Sequence, residues 1–150
     1  MIGLFLWGKI SEGQMDKSAV RQGLNWIALG AGLLGLAVIL GAFGAHGLKS
    51  MVTAAKLTTF QAAVQYHFYH GVGIVLIGLV QLHLPPNTLR WSARMLVGGI
   101  VLFSGSLYAM TFVDIKGLGI VTPIGGALFI FGWLALCIHV VKHRASIAIG

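Results

Sequence analysis

Residues 24–45 read LNWIALGAGLLGLAVILGAFGA, and no Lys, Arg, Asp or Glu interrupts them. An α-helix rises about 1.5 Å per residue and the hydrocarbon core of a bilayer is about 30 Å thick, so about 20 apolar residues can cross it. The stretch therefore predicts a transmembrane helix. Three further runs qualify on the same ground, at about 59–83, 89–112 and 123–141. The expected fold is all-α: a polytopic membrane protein with a four-transmembrane-helix bundle over 23–144.

The composition agrees with this reading. Of the 150 residues, 57% are hydrophobic and only 9% are charged, with a mean hydropathy of +0.92. A soluble domain needs far more charge to cover its outside. The formal net charge is +7, which invites a nucleic-acid reading. The basic residues sit thinly between apolar runs and form no stripe, so no nucleic-acid partner is expected. They read as flanks that orient the spans. Cys137 is the single cysteine and lies in an apolar run. Neither a disulfide framework nor a Cys-x-x-Cys metal or redox site is available, and a small buried side chain is the expectation.

Local signals place the ends of the runs. Thr58 followed by Gln61 suggests a capping box for the second span. Pro85 and Pro86 end it. Asn87 and Thr88 are candidate caps for the third, and Thr122 followed by Pro123 reads as cap and first helical position of the fourth. Residues 49–58 read as a short interfacial helix or the exposed start of the second span. Residues 1–22 read as an N-terminal extension that can lie at the membrane interface, and its positive charge follows its apolar start, unlike a signal peptide. Residues 145–150 are a C-terminal tail.

Four spans return both termini to one side. Lys9, Lys17, Arg21, Arg90, Arg94, Lys142 and Arg144 lie on that side, against Lys49, Lys56 and Lys116 on the other. The positive-inside rule then predicts cytoplasmic termini. In lipid, helices associate by close packing and interhelical hydrogen bonds, and small residues allow the approach. Ala37, Gly41 and Ala45 are the expected packing stripe of the first span, Gly98, Gly105 and Ala109 that of the third, and Gly125 with Gly126 that of the fourth.

Polar groups inside a membrane are expensive, so their placement is informative. On this topology they gather in the outer half, at His46, Gln65, Tyr66, His67, His70, Ser104, Ser106, Tyr108 and Thr122, and the inner half reads as almost wholly aliphatic. His70 falls about 16 Å into the second span, on one stripe with Tyr66, Gly73 and Ile77. His67 points to one side of that stripe and converges with it only loosely. The histidines can serve as interhelical hydrogen-bond partners, as an outward-open solute or proton site, or as metal or haem ligands. No Asp or Glu lies within a span, which argues against an ion-coupled pump and against hydrolysis by paired carboxylates. Asp114 is expected to pair with Lys116. The segment LFSGSLY is not a nucleophile elbow, and hydroxyls that bond back to their own helix are the expectation there.

The segments LGAFGAHGL (40–48), QYHFYHGVGIVLIGL (65–79), LFSGSLYAM (102–110) and VTPIGGALFIFGWLAL (121–136) resemble the four-span family called domain of unknown function 423, which includes the YgdD-like bacterial inner-membrane proteins. His46, His70, Ser104, Tyr108, Pro123, Gly125, Gly126 and Trp133 are the positions that match. The resemblance implies a four-helix inner-membrane fold over about 23–141, with residues 1–14 as an addition and Met15 as the usual start. It implies no activity. The functional expectation is a non-enzymatic structural or accessory subunit without a cofactor, set in the lipid bilayer and packing against a membrane-protein partner or its own copies. The alternatives are a small-solute carrier or pore around His70 and a haem- or quinone-associated redox subunit.

Overall fold

The computed structural model describes residues 16–114 and 117–148. Four long helices account for nearly all of them: α1 (Lys17–His46), α2 (Ala54–Gln81), α3 (Arg90–Phe112) and α4 (Leu118–Ala148). Each is long and apolar enough to cross a membrane. A 3₁₀ turn, Leu48–Ser50, links α1 to α2. No strand occurs among the described residues. Successive helices run antiparallel and pack in chain order, α1 on α2, α2 on α3 and α3 on α4. One end of the bundle, here the terminal end, carries the start of α1 and the 82–89 loop. The other, the distal end, carries the 47–53 and 113–117 connections.

Several boundaries differ from those expected, each for a local reason. Helix α1 begins at Lys17 because the Asp16 carboxylate accepts the Ser18 N–H at 2.8 Å. Helix α2 begins at Ala54, capped by Thr53, whose hydroxyl accepts the Lys56 N–H at 3.4 Å. Thr58 and Thr59 lie inside the helix and donate back to the Ala54 and Ala55 carbonyls. Asn87 and Thr88 do not cap α3: Asn87 takes a left-handed φ of 65°, and the Thr88 hydroxyl donates to the Pro85 carbonyl at 2.7 Å. Helix α4 starts at Leu118, which puts Pro123 inside the helix and leaves Thr122 uninvolved in capping. The same helix runs through the expected tail to Ala148. The interfacial reading of residues 1–15 and the pairing of Lys116 lie outside the described residues. Asp114 instead bonds Lys56 at 3.0 Å, tying the chain just after α3 to the first turn of α2. Cys137 is exposed on the outer face of α4, contrary to the buried role expected.

The packing stripes are also displaced. The buried residues of α1 are all small: Ala19, then Gly23, Gly30, Ala37 and Gly44, the last four spaced by seven. A heptad repeat holds one seam of a helix against its partner along its whole length. A Cβ at Gly30 would lie 2.7 Å from the Val75 side chain and 2.9 Å from its backbone nitrogen, and one at Gly78 would lie 2.8 Å from the Gly23 carbonyl. The two backbones touch. Ala37 keeps its expected role, Gly41 sits at the edge of the seam against Val64, and Ala45 is exposed because the seam passes through Gly44.

Helix α3 contains one π-helical turn, Ile100–Ser104. Such a turn carries an extra residue and is flanked here by Gly98, Gly99 and Gly105. It presses the Phe103 backbone against Gly125 of α4, where any side chain would collide. Gly98 meets Leu128, whereas Gly105 has only its own helix near it and Ala109 is half-buried. Gly126 is merely within van der Waals distance of the Phe103 ring. The close α3–α4 contacts fall instead at Gly99 of α3, which receives the Phe129 ring, and at Gly132 of α4, which receives Leu96. The apolar core of Ile74, Ile77, Leu84, Leu89, Ala93, Leu96, Ile100 and Phe129 lies toward the terminal end.

Candidate functional site

The spans place polar side chains at three levels. On the distal side of mid-depth, the buried His67, at the midpoint of α2, meets Tyr108 of α3, with Nδ1 and the hydroxyl 3.3 Å apart. Phe60 packs on Tyr108 with ring centroids 5.0 Å apart and fills the space beside the pair. Ser106 donates to the Phe103 carbonyl and shares a 2.7 Å bond with Thr122 of α4. That bond is the role of Thr122: it fastens α3 to α4. The His67 Nε2 and Ser104 Oγ atoms are sealed in the protein and meet no protein hydrogen-bond partner. Both residues are almost completely buried, at 2% and 0% exposure.

At mid-depth stands His70, within a turn of the midpoint of α2. Its Nδ1 lies 2.7 Å from the Tyr66 carbonyl of its own helix. A carbonyl only accepts, so Nδ1 carries the proton, and the neutral ring keeps its lone pair on Nε2. The imidazole lies flat on Phe129 of α4, with centroids 3.4 Å apart and planes 12° apart. Tyr66 continues the aromatic cluster to Phe103 at 4.6 Å. Together with Trp133, Pro123 and Gly126, these rings line a groove of ≈ 510 Å³ between α2 and α4.

The expected outer polar pocket therefore does not exist as one site. His67 and His70 turn to different neighbours, His67 to α3 and His70 to α4. Tyr66 and His70 share the groove, and Ser106 with Thr122 forms a separate clasp. Gln65 is exposed and donates to the Tyr69 hydroxyl one turn along, and His46 is exposed at the end of α1. Among the described residues, no three His, Cys, Asp or Glu side chains gather into a metal-binding set.

The third level, at the terminal end, corrects the expectation of an aliphatic inner half. Gln81 is fully buried. Its amide donates to the Leu84 and Pro85 carbonyls at 3.4 and 2.8 Å, and its oxygen accepts the Leu89 N–H at 3.0 Å. One side chain thus satisfies three backbone groups of the 82–89 loop. Gln22 of α1 clasps Asn87 of the same loop through two bonds of 2.7 and 2.8 Å. The signal available in the sequence was a glutamine at the end of an apolar span just ahead of a Pro-Pro turn.

The profile of the family described as Protein of unknown function (DUF423) matches residues 40–126, a stretch that holds the π turn, both histidines and Gly125. The chain belongs to the DUF423 family. Relatives carry the same reading. A UPF0382 membrane protein of Staphylococcus haemolyticus is 43% identical over 117 residues, 78% of this chain and 95% of that one. The UPF0382 membrane protein YwdK of Bacillus subtilis is 40% identical over 119 residues, 79% of this chain and 97% of that one. No solved structure matches the chain. As a DUF423 member with four spanning helices, the chain is a multi-pass membrane protein that sits in a lipid bilayer.

Proposed function

We propose that this chain is a non-catalytic accessory subunit of the bacterial cytoplasmic membrane, with both termini in the cytoplasm, that packs against a further membrane helix through the outward face of α1. The observation that carries the reading is a second small-residue stripe on α1, opposite the seam to α2. Asn25, Ala28, Gly32 and Gly35 follow a three–four spacing, Ala42 lies two turns further on, and all five are exposed. A Cβ at Gly32 or Gly35 would meet nothing within 4 Å. A face that only met lipid would gain nothing from glycine, whereas a face that meets a helix gains close backbone approach. Asn25 adds an amide whose hydrogen bonds in lipid come best from a neighbouring helix. Most polar groups within the bundle are committed to structural bonds, which favours a packing role over a catalytic one.

Native mass spectrometry after gentle solubilisation tests the association. The wild type is expected to release with a second polypeptide or a second copy, and Gly32→Leu with Gly35→Leu to release alone. If the pair of substitutions leaves the associated species unchanged, the reading fails. The excess of basic residues at the terminal end supports the orientation. An impermeant maleimide applied to intact spheroplasts should label Ser50→Cys and spare Ser18→Cys, and the reverse pattern would invert the topology.

A further inference from the structure

We infer that the groove between α2 and α4 is a binding site for a membrane-dissolved aromatic alcohol, a lipid quinol, held by a hydrogen bond from its ring hydroxyl to His70 Nε2. The inference stands on the state of His70, on the lining of the groove and on its depth.

His70 is fixed twice. Its Nδ1–H is used by the Tyr66 carbonyl, and its ring lies flat on Phe129. The residue is buried, and Nε2 makes no protein hydrogen bond, yet it is not among the buried polar atoms that are both sealed and unpaired. Since His70 lines the groove, the accessible part of its ring is the edge bearing Nε2. A neutral imidazole nitrogen at that edge is an acceptor only. It selects a partner that brings a proton.

The walls specify what surrounds that proton. Tyr66, Phe103, Phe129 and Trp133 provide aromatic faces, and Pro123, Gly126 and Ile130 complete the lining. The planes of Tyr66, His70 and Phe129 are nearly parallel, 12° and 13° apart between neighbours, and aromatic surfaces so arranged favour a flat ring over a flexible chain. The volume of ≈ 510 Å³ is in the range of small-molecule sites. Gly126 leaves the groove open, since an added Cβ would meet nothing nearer than the Phe103 ring at 3.7 Å.

The depth specifies the source. His70 is at the middle of a spanning helix, and the rim residues Tyr66, Ile130 and Trp133 are exposed on the outer surface of the bundle, where lipid lies. The mouth therefore opens into the bilayer, and the occupant arrives from lipid. A long-tailed quinol meets all three conditions: a flat ring, a hydroxyl donor and a tail that stays in the membrane. An oxidised quinone brings only acceptors and leaves His70 unpaired.

The test uses the full chain in phospholipid nanodiscs, with decylubiquinol and decylubiquinone as probes. Native mass spectrometry reads bound probe per chain, and the ¹⁵N shift of His70 Nε2 reads the hydrogen bond. The wild type is expected to retain one quinol per chain, about five- to tenfold more tightly than the quinone, and to show a shifted Nε2 resonance. His70→Leu should equalise the two probes, and Gly126→Leu, which fills the groove from α4, should remove both. The two substitutions lie on different helices, so one misfolded variant leaves the other informative. Equal affinity for quinol and quinone in the wild type, quinol retention undiminished in Gly126→Leu, or a groove that retains phospholipid and no quinol would each overturn the inference.

Discussion

Gln81 and Tyr108 show how differently two buried polar side chains weigh. Gln81 serves three backbone groups of a loop, so Gln81→Leu strands the Leu89 N–H and takes a donor from the Leu84 and Pro85 carbonyls, of which Pro85 keeps its bond from Thr88. A cost of about 2–4 kcal/mol is expected, read by steric trapping in bicelles, with the 82–89 amides losing exchange protection first. Tyr108 makes one bond, to His67, and Phe60 packs beside it whether or not the hydroxyl is present. Tyr108→Phe should cost only about 0.5–1 kcal/mol, in line with single interhelical hydrogen bonds in membranes. A double-mutant cycle with His67→Leu measures the pair. Both histidines were legible in the sequence as buried polar positions. Their partners were not. The spacing of Tyr66 and His70 announces a shared stripe, but the ring that stacks on His70 is Phe129, two helices further along, and only the tertiary fold brings them together.

The element that best exposes the logic of the fold is α1, which carries small residues on opposite faces for different purposes. Gly30→Leu would drive α1 off the α2 backbone and is expected to unfold the hairpin, seen as loss of a monodisperse species in detergent chromatography. Gly32→Leu, only two positions away, points into open space and should leave thermal stability unchanged. The start of the same helix responds to acid. Ser18, through its side chain first and its N–H second, holds the Asp16 carboxyl below its ordinary value of 3.8. A lowered folded value means that the cap is fully present above 3.8 and is lost as the pH falls through the folded value. The Ser18 amide resonance should therefore titrate below pH 3.8, and in Asp16→Ala it should not titrate at all. The existence and number of the spans were readable because twenty-residue apolar runs have few alternative fates. The π turn in α3 was not. GGIVLFSG differs little from an ordinary helix flanked by glycines, and the extra residue is retained because Gly125, on another helix, makes room for the Phe103 backbone.

On the scale of the whole molecule, the helices pack in chain order, and two of the cross-bonds lie near the ends of the bundle. The Lys56–Asp114 pair ties the chain after α3 to the first turn of α2, and the Gln22–Asn87 clasp ties α1 to the terminal loop. Between them, the surfaces of α1 and α4 remain largely exposed, which is why a four-helix count read from hydropathy could not tell which faces meet lipid and which meet protein. The α1–α2 seam, small residues of α1 laid on α2 over a full span, has a consequence for biosynthesis. It joins only neighbours in sequence, so the hairpin can close as soon as α2 has left the ribosome, before α3 exists. A nascent-chain force profile should then show a first pulling event shortly after α2 emerges, weakened by Gly30→Leu, and a later one when Phe129 reaches His70. Insertion would proceed as two successive hairpins, the second locking onto a first half that is already assembled in the membrane.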